Sequence, residues 1–117
     1  ADAVTDESLE ARICELIREA ALEGVRDELP HSIAVTVDEI SEREGGKLTD
    51  IHANIFVERD SQKGIIIGHK GSRLIDVGKR ARLEIEKLIG TKVFLGLRVK
   101  VASDWQRDPK QLGKLGF

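Results

Sequence analysis

The sequence has 117 residues, 40% of them hydrophobic and 34% charged, which suits one soluble globular core rather than two. Its formal charge of −2 excludes a uniformly basic nucleic-acid binder. The lone cysteine, Cys14, excludes an internal disulfide framework and a cysteine-based zinc module.

A helix is expected from Thr5 or Asp6, with a capping side chain, acids in the first turn, and Leu9, Ile13, Leu16, Ile17 and Ala20 at helical spacing. Residues 1–30 hold nine acids against three bases. That acidic helix reads as a solvated face, with contact to a neighbouring domain as the alternative. Gly24 weakens the helix and Pro30 ends the region. Ile33, Val35 and Val37 then alternate with Ala34, Thr36 and Asp38, the period of a half-buried strand running toward Arg43. Gly45 and Gly46 allow a tight reversal, and Ile51, Ala53, Ile55 and Val57 resume the alternation. A long antiparallel hairpin follows.

Residues 61–68 read as a short helix, and 72–89 as a longer one with Leu74, Ile75, Gly78, Ala81, Ile85, Leu88 and Ile89 on one side and Gly90 at its end. Val93, Leu95, Leu97, Val99 and Val101 predict a third strand, and the helical crossover before it implies a parallel pairing. Asp104 is a cap for a short terminal helix over 109–115, with Trp105 as its anchor. The expected fold class is α+β, a three-stranded mixed sheet with helices on one face, in the order helix, strand, strand, helix, helix, strand, helix. No apolar run is longer than that of Ile65, Ile66 and Ile67, so neither a membrane span nor a signal peptide is read, and a cytoplasmic address follows by default.

Between the two middle helices stand Gly68, His69, Lys70 and Gly71. Glycines three apart let the backbone turn sharply and approach a ligand, while the residues between them point outward and the next helix offers free N–H groups. The surrounding segment 61–82 holds six bases and one acid, so a phosphate chain finds positive charge there although the whole molecule is acidic.

These residues, with Leu29 and Pro30, the hairpin, Gln62, Lys63 and Gly64, Val77 and Gly78, Ala81 and Arg82, Val99 to Val101, Asp104 and Trp105, and the 112–117 tail, carry a family resemblance. From about Thr5 to Phe117 the chain resembles a type II KH domain, and the combined motif order is similar to the C-terminal KH domain of the bacterial Era GTPase family. The resemblance implies a G-x-x-G loop that clamps the backbone of about four single-stranded nucleotides. The implied partner is the 3′ end of small-subunit rRNA, and the implied role is ribosome biogenesis, the assembly of the small ribosomal subunit. RNA contact falls on Lys63, Ile66, Ile67, Gly68, His69, Lys70, Gly71, Ser72, Arg73 and Leu74. Ile66 and Ile67 are equally readable as core and as groove floor. One departure is Ile75, which stands where family members often carry a basic residue, with Arg73, Lys79 and Arg80 nearby.

The same resemblance implies residues 1–5 as a linker remnant, 6–117 as the KH domain, and a GTPase domain in the full-length protein. No G-x-x-x-x-G-K-[ST] occurs here, and a segment cut from a longer protein accounts for the absence of methionine. The chain itself is then a monomeric binding module with no cofactor, no metal, no catalytic residue and no DNA preference, cytoplasmic, with the full-length protein at the inner membrane face. His31 and His52 have no carboxylate or cysteine at ligand spacing. The alternatives are a generic KH RNA-binding module and a KH-fold protein-interaction domain. An aromatic content of 3% argues against base stacking of the RRM kind.

Overall fold

A computed structural model describes residues 6–29 and 33–102. The expected terminal helix with Asp104 and Trp105, together with Pro30 and His31, lies outside the described residues. Helix α1 spans Asp6–Leu22 and buries Ile13, Ile17 and Ala21 completely. It stops short of the Pro30 region because Gly24 takes φ 81 and the Val25 N–H donates to the Leu22 carbonyl at 3.0 Å. Leu29, fully buried, returns the chain to the core.

Strands β1 (Ala34–Arg43) and β2 (Leu48–Val57) pair antiparallel. The register shifts between Val37 and Glu39, so that Val37 opposes Ala53 and Glu39 opposes His52. Asp38 is the extra residue of a bulge. Strict alternation would aim Glu39 at the core; the bulge instead brings Ile40 opposite Ile51 on the helix side. The reversal uses three consecutive positive φ values, at Glu44 (52), Gly45 (66) and Gly46 (89).

Helix α2 (Asp60–Ile67) and helix α3 (Ser72–Ile89) lead to strand β3 (Lys92–Val101). β3 pairs parallel with β2, giving the order β1-β2-β3 with β3 at an edge. The helices share one face of the sheet, where Ile51, Ala53, Ile55, Val57, Val93 and Val99 meet Ile13, Ile17, Ile66, Val77, Ala81 and Ile85. β2 is buried on both faces, since Asn54 and Phe56, which point away from the helices, are 1% and 2% exposed.

The α3 face differs from expectation at one position. Ile75 is 72% exposed, and Val77, fully buried, takes the core place. At 3.6 residues per turn, Leu74, Val77, Gly78, Ala81 and Ile85 lie along one arc, and Ile75 lies about 100° away from Leu74. Gly90 (φ 82) ends α3 as expected, donating its N–H to the Glu86 carbonyl at 2.8 Å. Glu86 Oε2 also accepts from the Val93 N–H at 2.9 Å and from Arg82 Nη1 at 3.0 Å, tying the last turn of α3 to the start of β3. Among the described residues no helix is long and apolar enough to cross a membrane.

Candidate nucleic-acid interface

The site is built outward from α2. Gln62 Oε1 accepts from the backbone N–H groups of Glu58 at 2.9 Å and Arg59 at 3.0 Å, fixing the start of this short helix. Ile66 is fully buried and Ile65 and Ile67 are half-buried. Of the two isoleucines read as core or groove floor, Ile66 lies in the core. Ile67 keeps a surface beside the loop.

α2 ends where the Gly68 N–H donates to the Gly64 carbonyl at 2.9 Å. Gly68 adopts φ 75, ψ −178, a conformation open essentially to glycine alone. A Cβ there would also lie 2.6 Å from Arg73 Cβ. Lys70 (φ 54, ψ 28) and Gly71 (φ 79, ψ 6) continue in the left-handed region, and the Gly71 N–H closes the turn on the Gly68 carbonyl at 3.2 Å. The side chains of His69 and Lys70 are exposed. Gly71 precedes α3 without a capping side chain, the Ser72 N–H donates to the His69 carbonyl, and exposed Ser72 and half-buried Leu74 stand in the first turn of α3.

The cations divide into two groups. Arg73 Nη2 donates to the carbonyls of Ala21 at 2.7 Å and Glu23 at 2.9 Å, capping the C-terminus of α1. Arg80 pairs with the Glu23 carboxylate, donates to Asp76 Oδ2 at 2.8 Å and reaches the Ala20 carbonyl at 3.2 Å. Arg82 is held by Glu86. Arg73, expected at the RNA, thus has its guanidinium turned to two carbonyls at the end of α1. Lys63, Lys70 and Lys79 make no ion pair among the described residues, and they carry the free positive charge around the loop.

The edge position of β3 was not read from the sequence. α2 packs against both α3 and β3, and β3 is an edge strand, so its outer N–H and C=O groups are left unpaired by the sheet. A signal was present in the sequence: β3 holds Lys92, Arg98 and Lys100 and no acid. Gly78 packs close to this strand, since a Cβ there would lie 3.7 Å from Leu97 Cδ1. Among the described residues no group of histidine, cysteine, aspartate and glutamate side chains is placed to hold a metal ion.

Comparison with known proteins matches this arrangement. The chain is 68% identical over 115 residues to the GTPase Era of Mycolicibacterium smegmatis and 67% identical over 115 residues to that of Mycobacterium tuberculosis, covering 97% of this chain and 38% of each relative. It therefore spans well under half the length of these relatives. A crystal structure of Era in complex with MgGDPNP and nucleotides 1506–1542 of 16S ribosomal RNA superposes with a TM-score of 0.82 at 42% identity, over 98% of this chain and 38% of that one. An Aquifex aeolicus Era variant bound to GDP.AlF4- gives a TM-score of 0.81, also at 42% identity over 98% of this chain and 38% of that one. A family model described as KH domain matches residues 28–106, which takes in the hairpin, the loop with its two helices, and β3. With the sheet order, the glycine loop between paired helices and this match in agreement, the chain belongs to the KH domain family.

Proposed function

We propose that this chain is the RNA-binding domain of an Era-type GTPase, holding the single-stranded 3′ end of small-subunit rRNA during assembly of the small ribosomal subunit. The observation that carries the reading is the 68–71 loop. Its backbone conformation brings main chain rather than side chain to the surface at Gly68 and Gly71, beside exposed His69 and Lys70 and the start of α3. A phosphodiester chain finds donors and positive charge there, while Ile67 and Leu74 give its bases an apolar wall and the β3 edge offers hydrogen bonds. Contact is assigned to Lys63, Ile67, Gly68, His69, Lys70, Gly71, Ser72 and Leu74, with Ile66 and Arg73 supporting from behind.

The relatives named above, of which the chain spans 38%, support placing the GTPase domain elsewhere in the full-length protein. On this reading residues 6–117 are the KH domain, 1–5 belong to the linker, and the protein works in the cytoplasm, with the inner membrane face as a further station of the full-length form. Replacing His69 and Lys70 together with Asp sets two negative charges against the phosphates and leaves both glycines and the core untouched. Affinity for single-stranded RNA is expected to fall more than roughly a hundredfold, at unchanged thermal stability. Unchanged affinity in a folded variant removes the loop from the binding site.

A further inference from the structure

The sheet face turned away from the helices carries a second cluster. Alternation along β3 places Lys92, Phe94, Gly96, Arg98 and Lys100 together on that face. Phe94 is 52% exposed. Its ring lies 5.8 Å from that of His52 on β2, tilted by 54°, and the His52 side chain is 46% exposed. A Cβ at Gly96 would stand 2.9 Å from His52 Nδ1 and 3.4 Å from Phe94 Cε2. The absence of a side chain at 96 is what lets both rings settle against the strand.

Two of the acids near this face are engaged. Asp38 Oδ2 accepts from Asn54 Nδ2 at 2.8 Å, and Asp50 Oδ2 is paired with Arg43 at 2.6 Å. Glu39, opposite His52 on β1, bounds the cluster on the side away from β3. Arg98 and Lys100 make no ion pair among the described residues. Same-face positions on a strand recur about every 6.6 Å, a spacing that an extended polynucleotide can follow. Cations interleaved with an exposed aromatic pair are the recognition chemistry of single-stranded nucleic acid, stacking for the bases and positive charge for the backbone.

We infer that this face of β3 is a second contact for the same RNA strand, an inference that rests on the RNA-binding reading of the loop. Nucleotides beyond those held at the loop cross the free edge of β3, one base stacks on the Phe94 and His52 pair, and Arg98 and Lys100 meet the flanking phosphates. The edge position of β3 makes this continuous: α2, which leads into the loop, packs against one side of the strand, and the opposite sheet face begins on the same strand.

The test is a titration of the chain with single-stranded RNAs of about five and about twelve nucleotides, the shorter filling only the loop groove. Phe94→Ala is expected to weaken binding of the longer RNA roughly tenfold and to leave the shorter unchanged. Phe94→Trp restores binding and Phe94→Leu does not, which separates stacking from mere apolar bulk. Arg98→Ala and Lys100→Ala each lower the salt slope for the longer RNA by about 0.7. Unchanged binding of the longer RNA by folded Phe94→Ala, or equal loss for both lengths, overturns the proposal. The loop variant with Asp at 69 and 70 distinguishes the two readings. If it binds both RNAs normally while Phe94→Ala weakens the longer, the loop reading fails and the sheet contact stands. If only the loop variant loses affinity, the sheet contact fails alone. An unaltered chain that binds neither RNA, and instead takes up an acidic peptide or anionic vesicles through Phe94, sinks both.

Discussion

At Gly68 two constraints coincide, a backbone conformation closed to other residues and an approach of 2.6 Å between any added Cβ and that of Arg73. Gly71 has only the first kind of constraint, in milder form: its φ is 79, and an added Cβ meets nothing within 4 Å. Gly68→Ala is therefore expected to destabilise the chain by at least about 2 kcal/mol, and Gly71→Ala by about 1 kcal/mol. Urea unfolding of the two variants checks the order; equal costs contradict it. Arg73 touches Gly68 from one side and caps α1 from the other. Removing the guanidinium leaves the carbonyls of Ala21 and Glu23 without their donor. Arg73→Ala should lower stability by roughly 2 kcal/mol without changing the salt slope of RNA binding. A slope reduced by about 0.7 would place the guanidinium on a phosphate.

Among the elements, α3 shows how one turn decides a residue's fate. Val77 is fully buried and Ile75 is 72% exposed, although they stand two positions apart. Truncating Val77 to Ala should cost about 2 kcal/mol through a lost methyl pair and a residual cavity, while Ile75→Ala should stay within about 0.5 kcal/mol. Thermal unfolding of both variants gives the comparison, and similar costs would contradict this placement of the face. The far end of α3 is sensitive to acid. The carboxyl of Glu86 is held below its ordinary 4.5 first by the Val93 N–H it accepts, then by the hydrogen bond and charge of Arg82 and the charge of Lys92, against an opposing push from burial. A lowered folded value means that the ionised form stabilises the fold. Its contribution is present above the ordinary value and is lost as pH falls through the folded one. Stability should decline below about pH 4.5, and Glu86→Gln should both lower stability at neutral pH and flatten that decline. A variant whose acid unfolding curve matches the original would show that the clasp contributes nothing.

For the whole molecule, charge is arranged rather than abundant. The net charge is −2, and two of the arginines in the central basic segment, Arg73 and Arg80, are turned to the C-terminus of acidic α1. Few cations are left for phosphate, chiefly Lys63, Lys70 and Lys79 around the loop. An RNA short enough to fill only the loop groove should therefore bind with a salt slope of about −2 to −3, from about three to four contacts at ~0.7 each. It should bind better single-stranded than as a duplex, whose bases are hidden. Titration of both forms across a salt series measures this; equal affinity for duplex, or a slope near zero, argues against the groove.

Local signals in the sequence were enough for the order of the described elements, from α1 to β3. Apolar alternation marked the three strands, glycines marked the reversal and the end of α3, and the crossover through two helices required the parallel pairing that β2 and β3 make. The glycine loop was legible for the same reason: its conformation is a local demand that only glycine meets at Gly68. What the tertiary structure decided depends on partners far along the chain. The bulge at Asp38 depends on the register with β2, and the burial of Ile66 on being packed against β3 and α3. The direction of the Arg73 and Arg80 side chains is set by the end of α1, some 50 residues away in sequence. The cluster of Phe94 and His52 over Gly96 arises only when β3 lies beside β2. Periodicity reports which face a residue occupies, and only the assembled sheet and helices determine what that face meets.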